Sequence, residues 1–146
     1  MNKLSAALKE LMPLGFSMLT YGYVLSKYNM LLGDGISMLP TIEDNGVCVV
    51  DKTKYRKRRV KVNDIVICTS PVDREVLVCK RVVGVEGSKV YVQREGKEYE
   101  VEKNQVWLEG DNKNNSFDSR MHGPVDKGLI TGVVMCKIYP SFKLFI

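Results

Sequence analysis

The chain has 146 residues, 45% of them hydrophobic; this suffices for one domain with a buried core and leaves no room for a second. It carries 22 basic and 17 acidic side chains, and seven of the basic ones lie between residues 52 and 61. The net charge of +5 is therefore a local feature, which argues against a protein that coats nucleic acid over a generally basic surface.

The first organised stretch is residues 11–26, which contain no charged side chain. A helix over these residues would be about 24 Å long, and extending it to Gly33 gives about 34 Å, against a hydrocarbon core of about 30 Å. We interpret residues 1–33 as a membrane-anchor segment and residues 34–146 as a β domain. A cleaved signal or transit peptide and a buried amphipathic helix are the alternatives for the first segment.

From residue 47 onward the pattern changes to short apolar runs with a period near two, separated by Gly, Asn, Asp and Pro. No alternation of helices and strands is apparent, so a doubly wound fold is not expected. The pattern predicts a mostly β, antiparallel, barrel-like domain. Its seven predicted strands are residues 47–50, 64–69, 75–85, 89–94, 98–102, 105–109 and 129–139.

The basic run between residues 52 and 61 falls between two of these strands. It is typical of a solvated loop, or of a loop that contacts anionic lipid headgroups. No platform of aromatic residues for base stacking accompanies it, so no nucleic-acid partner is expected.

The cysteines are not spaced as metal ligands. No two of them form a CxxC pair, and the single histidine, His122, is distant from most of them, so no metal site is expected. Their apolar neighbours favour packed thiols over disulfides. The four are Cys48, Cys68, Cys79 and Cys136.

A candidate nucleophile is Ser37, in the turn-like stretch GISMLPT at residues 35–41. A serine needs a base to lose its proton at neutral pH. His122 could be the base of a Ser-His-Asp triad, although its neighbours in the sequence favour an exposed turn. Lys80 is the other candidate, because it interrupts the most apolar strand, where burial would favour the neutral amine. A lysine whose stem packs and whose amine reaches water is the structural alternative.

The polar stretch GDNKNNSFDSR, residues 110–120, predicts a loop dense in hydrogen-bonding side chains. The hydroxyl of Ser116 is placed to orient a neutral lysine amine. Asp118 and Arg120 are spaced to form an ion pair, and Asp111 and Asn112 to fix the turn after the preceding strand.

In this order, GISMLPT, VCKRVVG, GDNKNNSFDSR and GPVDKGLITG resemble the type I signal peptidases, which are membrane-attached β proteases with a Ser-Lys dyad. The likeness runs from about residue 33 to residue 134. It implies that Ser37 is the nucleophile, Lys80 the general base, Ser116 the hydroxyl that positions the amine, and Asp118 with Arg120 a bracing pair. It implies no metal and no cofactor.

Gly35 departs from bacterial members, which often carry a hydroxyl residue two positions before the nucleophile to help bind the oxyanion. Here the oxyanion would depend on backbone N–H groups, including that of Ser37. The short chain and compact spacing are similar to the mitochondrial inner-membrane branch of the family, and Arg120 to its first catalytic subunit type.

That branch implies a membrane-bound endopeptidase that removes sorting presequences from proteins delivered to the intermembrane space. It implies three kinds of partner, namely presequence-bearing precursors, membrane lipid and a related second subunit in a heterodimer. It also implies an inner-membrane location, with the catalytic domain facing the intermembrane space. Two other interpretations stay open, an inactive membrane-tethered β scaffold and a self-cleaving Ser-Lys protease of the repressor type. The second would need a DNA-binding domain upstream, for which residues 1–34 are too short and apolar.

Overall fold

The structure, a computed structural model, describes residues 28–53 and 60–145. Within them the chain forms ten strands, one short α-helix and one 3-10 turn. The strands are β1 (Tyr28–Leu32), β2 (Val47–Asp51), β3 (Ile65–Thr69), β4 (Leu77–Val85), β5 (Lys89–Val92), β6 (Lys97–Glu100), β7 (Gln105–Glu109), β8 (Val125–Asp126), β9 (Ile130–Tyr139) and β10 (Lys143–Leu144). The helix, α1, is Ser119–His122, and the 3-10 turn is Lys127–Leu129.

Eight of these strands form one antiparallel sheet with the order β1-β2-β9-β3-β4-β7-β8, and β10 pairs separately with β9. The register shifts once or more between β2 and β9, β3 and β9, and β4 and β7. Such irregularities increase the local twist, and the sheet curls into a half-barrel. The predicted mostly β, antiparallel, barrel-like fold is therefore confirmed.

Both faces of the sheet are covered, as β3 shows. Alternate strand residues point to opposite faces, so Val66 and Cys68 join one apolar cluster while Ile65 and Ile67 join another. The hairpin formed by β5 and β6 covers Trp107 of β7 in a third cluster. Because β3 is buried on both faces and pairs with β4, it holds β4, the strand that carries Lys80, in a fixed position.

All seven predicted strands are present, with ends that differ by at most two residues. Three observed strands, β1, β8 and β10, are not predicted from the sequence. Tyr28–Leu32 was assigned to an anchor helix extending to Gly33; this is wrong, because these residues pair with β2 from Tyr28 opposite Asp51 to Leu32 opposite Val47. The four cysteines are unpaired, as predicted.

The rest of the predicted anchor, residues 1–27, lies outside the described residues, as does most of the basic run, residues 54–59. Across residues 28–53 and 60–145, we find no helix with the length and hydrophobicity needed to span a bilayer.

Candidate active site

Ser37 lies in a turn within the segment that joins β1 to β2. The turn is closed by Leu39 N–H donating to the Ile36 carbonyl at 3.3 Å. The next side chain, Met38, is 3% exposed and packs into the core, and its carbonyl accepts the N–H of Ile42 at 3.0 Å. Because the flanking residues are fixed in this way, the Ser37 hydroxyl is held at the surface of the core instead of moving with a free loop.

Lys80 lies in β4, opposite Val66 of β3 and only 6% exposed. Its Nζ is 2.9 Å from Ser37 Oγ and donates to the Cys79 carbonyl at 3.1 Å. Burial lowers the pKa of Lys80 below its ordinary value, and the nearby Cys79 and Asp118 oppose this effect without reversing it. The structure thus brings together the predicted nucleophile and the predicted base, which are 43 positions apart in the sequence.

The edge of β4 beside the dyad is open. β3 pairs with Leu77 to Arg81, whereas β7 pairs only with the part of β4 from Arg81 to Val85. Among the described residues, the segment from Leu77 to Lys80 therefore has no strand on its second edge. The backbone groups along this edge that make no bond within the fold are available to an extended peptide.

Asp118 is the buried centre of the loop at residues 110–120, with 1% of its surface exposed. Its carboxylate accepts hydrogen bonds from Gly110 N–H at 2.9 Å and from Arg120 Nε and Nη2 at 2.9 and 2.8 Å. Burial alone would raise the pKa of Asp118, but these bonds lower it to about 2. The predicted Asp118–Arg120 pair is present and joins the end of β7 to the start of α1.

Asp111 and Asn112 make long-range contacts, whereas a local role in the turn was expected. Asp111 accepts two hydrogen bonds from Arg81 of β4, both at 2.7 Å. Asn112 donates its side-chain amide to the Ile36 carbonyl at 3.0 Å and its backbone N–H to the Ser37 carbonyl, also at 3.0 Å. The loop is therefore tied both to the lysine strand and to the serine turn.

Ser116 is not hydrogen-bonded to Lys80. Its Oγ is buried and makes no hydrogen bond within the described residues, although it lies close enough to the Asp118 carboxylate to lower that pKa. His122 is half-buried at the end of α1, not in the exposed turn that was expected. Its Nδ1 lies 3.0 Å from the Gly123 carbonyl and its ring lies against Phe117, so the observed contacts give no support to a triad.

Two cavities flank Lys80. The larger, of about 360 Å³, opens beside Ser37 between the end of β1 and the open edge of β4. The smaller, of about 180 Å³, lies on the Val78 face of β4. The larger cavity is mostly apolar and includes Leu31, Met38, Ile42, Cys48, Ile67 and Cys79 in its walls.

Sequence reasoning missed two groups that hold the serine segment. Asp44 accepts the backbone N–H of Gly35 at 2.9 Å. Lys137 of β9, only 3% exposed, pairs with Glu43. An isolated lysine in the apolar run 129–139 was a signal for such a partner, but nothing in the local pattern indicated which carboxylate it meets.

Comparison with known proteins gives consistent matches. A family model described as signal peptidase, peptidase S26, matches residues 6–97 and 92–139. Mitochondrial inner membrane protease subunit 1 of Homo sapiens is 37% identical over 115 residues, which cover 76% of this chain and 69% of that protein. Mitochondrial inner membrane protease subunit 2 of Danio rerio is 33% identical over 116 residues, or 75% of this chain and 63% of that protein.

Among solved structures, the crystal structure of a signal peptidase I from Enterococcus faecalis aligns with a TM-score of 0.42 and 20% identity. The alignment covers 52% of this chain and 97% of that one. Every residue of the candidate site lies within the region matched by the family model.

Proposed function

Since the chain belongs to the signal peptidase family, peptidase S26, we propose that it is a serine endopeptidase in which Ser37 and Lys80 form the catalytic dyad. One observation carries the proposal, the 2.9 Å separation between Lys80 Nζ and Ser37 Oγ with the lysine 6% exposed. Burial that lowers the pKa of Lys80 increases the fraction of the amine with the free electron pair that a general base needs.

In the proposed mechanism, neutral Lys80 accepts the Ser37 hydroxyl proton while Oγ attacks the scissile carbonyl carbon. The tetrahedral intermediate then collapses as the Lys80 ammonium gives its proton to the leaving amine, which leaves an acyl-enzyme on Ser37. Water attacks the ester, again with Lys80 as base, and releases the second product. These steps need no metal and no cofactor.

The substrate would bind as an extended strand along the open edge of β4 between Leu77 and Lys80. Its side chains near the cut would enter the cavity of about 360 Å³ that adjoins Ser37. The mostly apolar walls of that cavity favour small or apolar side chains there over charged ones.

The names of the relatives extend the proposal to location and partners. The relatives described above are mitochondrial inner membrane protease subunits 1 and 2. We therefore propose that this chain works at the mitochondrial inner membrane, in contact with lipid and with its catalytic domain in the intermembrane space. It would pair with a related second subunit and remove presequences from precursor proteins.

The test is a cleavage assay on the purified full chain in lipid, with and without the second subunit, using a precursor peptide and mapping the cut by mass spectrometry. Ser37→Ala and Lys80→Met should each lower the rate by at least ~100-fold, the range for losing a nucleophile or base. Ser141→Ala and Lys89→Met are the matched controls, since both residues are exposed, and they should cleave normally.

Three outcomes would contradict the proposal. Full cleavage by both dyad variants would exclude the dyad. Loss of cleavage in His122→Ala with retention in Lys80→Met would indicate a histidine base. A wild-type chain that cleaves nothing in either state would favour the inactive scaffold.

A further inference from the structure

Asn112 holds both carbonyl groups that flank Ser37. Its Nδ2 donates to the Ile36 carbonyl and its backbone N–H donates to the Ser37 carbonyl, each at 3.0 Å. The first of these bonds spans 76 positions in the sequence. The peptide groups on either side of the nucleophile are therefore both bonded to one residue of the distant loop at 110–120. The Ile36 carbonyl also accepts a longer, local bond from Leu39 N–H at 3.3 Å.

The orientation of the Ile36–Ser37 peptide decides where the Ser37 N–H points. This peptide is not among the cis bonds of the described chain, and in a planar trans peptide the C=O and N–H bonds point in opposite directions. Because the Ile36 carbonyl faces Asn112, the Ser37 N–H faces away from Asn112. It donates to no acceptor within residues 28–53 and 60–145.

A free, fixed N–H beside the nucleophile is what an oxyanion requires. The alternatives nearby are reduced, since Gly35 has no side-chain hydroxyl and its own N–H is already bonded to Asp44. The Ser37 N–H is thus the donor whose direction the fold controls most closely.

We propose that Asn112 is a positioning residue, whose side-chain amide holds the Ile36–Ser37 peptide so that the Ser37 N–H donates to the oxyanion of the tetrahedral intermediate. The proposal rests on the peptidase function proposed above. Asn112 does not touch the substrate in this account. It acts by preventing rotation of the peptide that carries the donor.

Bracing of the loop does not depend on the Asn112 side chain. Asp111 ties the loop to Arg81 of β4, and Asp118 ties it to Arg120 and to Gly110. Removing the Asn112 amide should therefore leave the loop in place, while the Ile36–Ser37 peptide keeps only the longer bond from Leu39 N–H at 3.3 Å and is held less firmly. This separation makes the proposal testable.

The test compares Asn112→Asp and Asn112→Ala with Asn114→Asp, which makes the same charge change at an exposed position of the same loop. Four quantities are measured on the full chain in its active assembly: kcat, KM, inhibition by a peptide aldehyde, and binding of an uncleavable peptide. The aldehyde forms a tetrahedral adduct on Ser37 that carries the oxyanion, whereas the uncleavable peptide has no such atom.

For both Asn112 variants we expect kcat to fall ~10- to 100-fold with KM within about twofold, because one oxyanion donor is misaligned but still present. The inhibition constant of the aldehyde should rise by a similar factor, and the affinity for the uncleavable peptide should not change. Asn114→Asp should match the wild type in all four quantities.

Unchanged kcat in both variants would overturn the proposal, and so would an equal loss of affinity for the two ligands, which would mean that Asn112 shapes the substrate cleft. If the wild type and Asn114→Asp cleave no faster than Ser37→Ala, the proposed function itself fails, and this inference fails with it. If they do cleave faster than Ser37→Ala, the proposed function stands, and the comparison of the Asn112 variants with the wild type tests only the role of Asn112.

Discussion

Replacing Asp118 by Asn tests how the fold supports the site, because this substitution removes a buried charge and almost no volume. The carboxylate accepts bonds from Gly110 N–H and from two guanidinium nitrogens of Arg120, all between 2.8 and 2.9 Å. An asparagine has one acceptor oxygen, and its NH2 group would face another donor. Each carboxylate oxygen accepts two bonds, since Oδ1 also accepts the backbone N–H of Arg120 at 3.2 Å. Two of the four donors are then left without an acceptor, beside an arginine that has lost its counter-charge.

The structure gives the size of the effect. A pKa of about 2 in place of the ordinary 3.8 corresponds to about 2 kcal/mol of preference for the ionised form in the fold. The donors left without an acceptor together cost about 1 to 3 kcal/mol more. We therefore expect Asp118→Asn to lower the free energy of unfolding by about 3 to 5 kcal/mol, as for other buried pairs that lose one partner.

Urea unfolding of the purified chain at pH 7 measures this difference, with Glu98→Gln as the control. Glu98 pairs with Lys89 at 3.3 Å, but both side chains are more than half exposed, so its loss should cost below about 1 kcal/mol. The folded pKa of Asp118 is depressed, so its contribution is present above pH 4 and is lost as the pH falls toward 2. A difference of less than about 1 kcal/mol at pH 7, or one that stays constant down to pH 2.5, would refute the reasoning.

Three further predictions concern the same region. Gly110→Ala should destabilise the fold by at least about 2 kcal/mol in urea and reduce cleavage, because the new Cβ would lie 2.5 Å from the Ser37 carbonyl oxygen. Asp111→Asn should lower thermal stability and cleavage together, because it leaves Arg81, which is one quarter exposed, without its charged partner. Cys68 and Cys79 should resist alkylation at pH 8 until the chain unfolds, as burial raises their pKa to about 11 and about 12; rapid labelling of the folded chain would contradict this.

The sequence predicted the strands well where side chains alternate between two environments. It failed for Tyr28–Leu32, because a short apolar run directly after residues 11–26 has no period that separates a strand from the end of a helix. It also missed β8 and β10, which have two residues each and are defined by their partners in the sheet. A segment of that length carries no pattern of its own.

The candidate site, like the fold, could be predicted from the sequence only in part. An apolar strand interrupted by Lys80 is visible in the sequence, and so is the short spacing of Asp118 and Arg120. The bonds from Asp111 to β4 and from Asn112 to the serine turn are not, because they depend on the sheet order that brings β7 beside β4. For Ser116, the expected bond to the lysine is absent, and the hydroxyl packs against Gly110.

Catalysis by the proposed dyad requires that the Lys80 amine is uncharged near neutral pH while it contacts Ser37. The most direct measurement is the titration of Lys80 by NMR in the protein labelled with 13C-lysine. The Lys80 signal is assigned as the one missing from the Lys80→Met variant, and kcat/KM is recorded over the same pH range. We expect Lys80 to lose its proton well below the ordinary lysine value of about 10.4, and kcat/KM to rise as it does so. A Lys80 that stays protonated up to that ordinary value would contradict the proposed dyad.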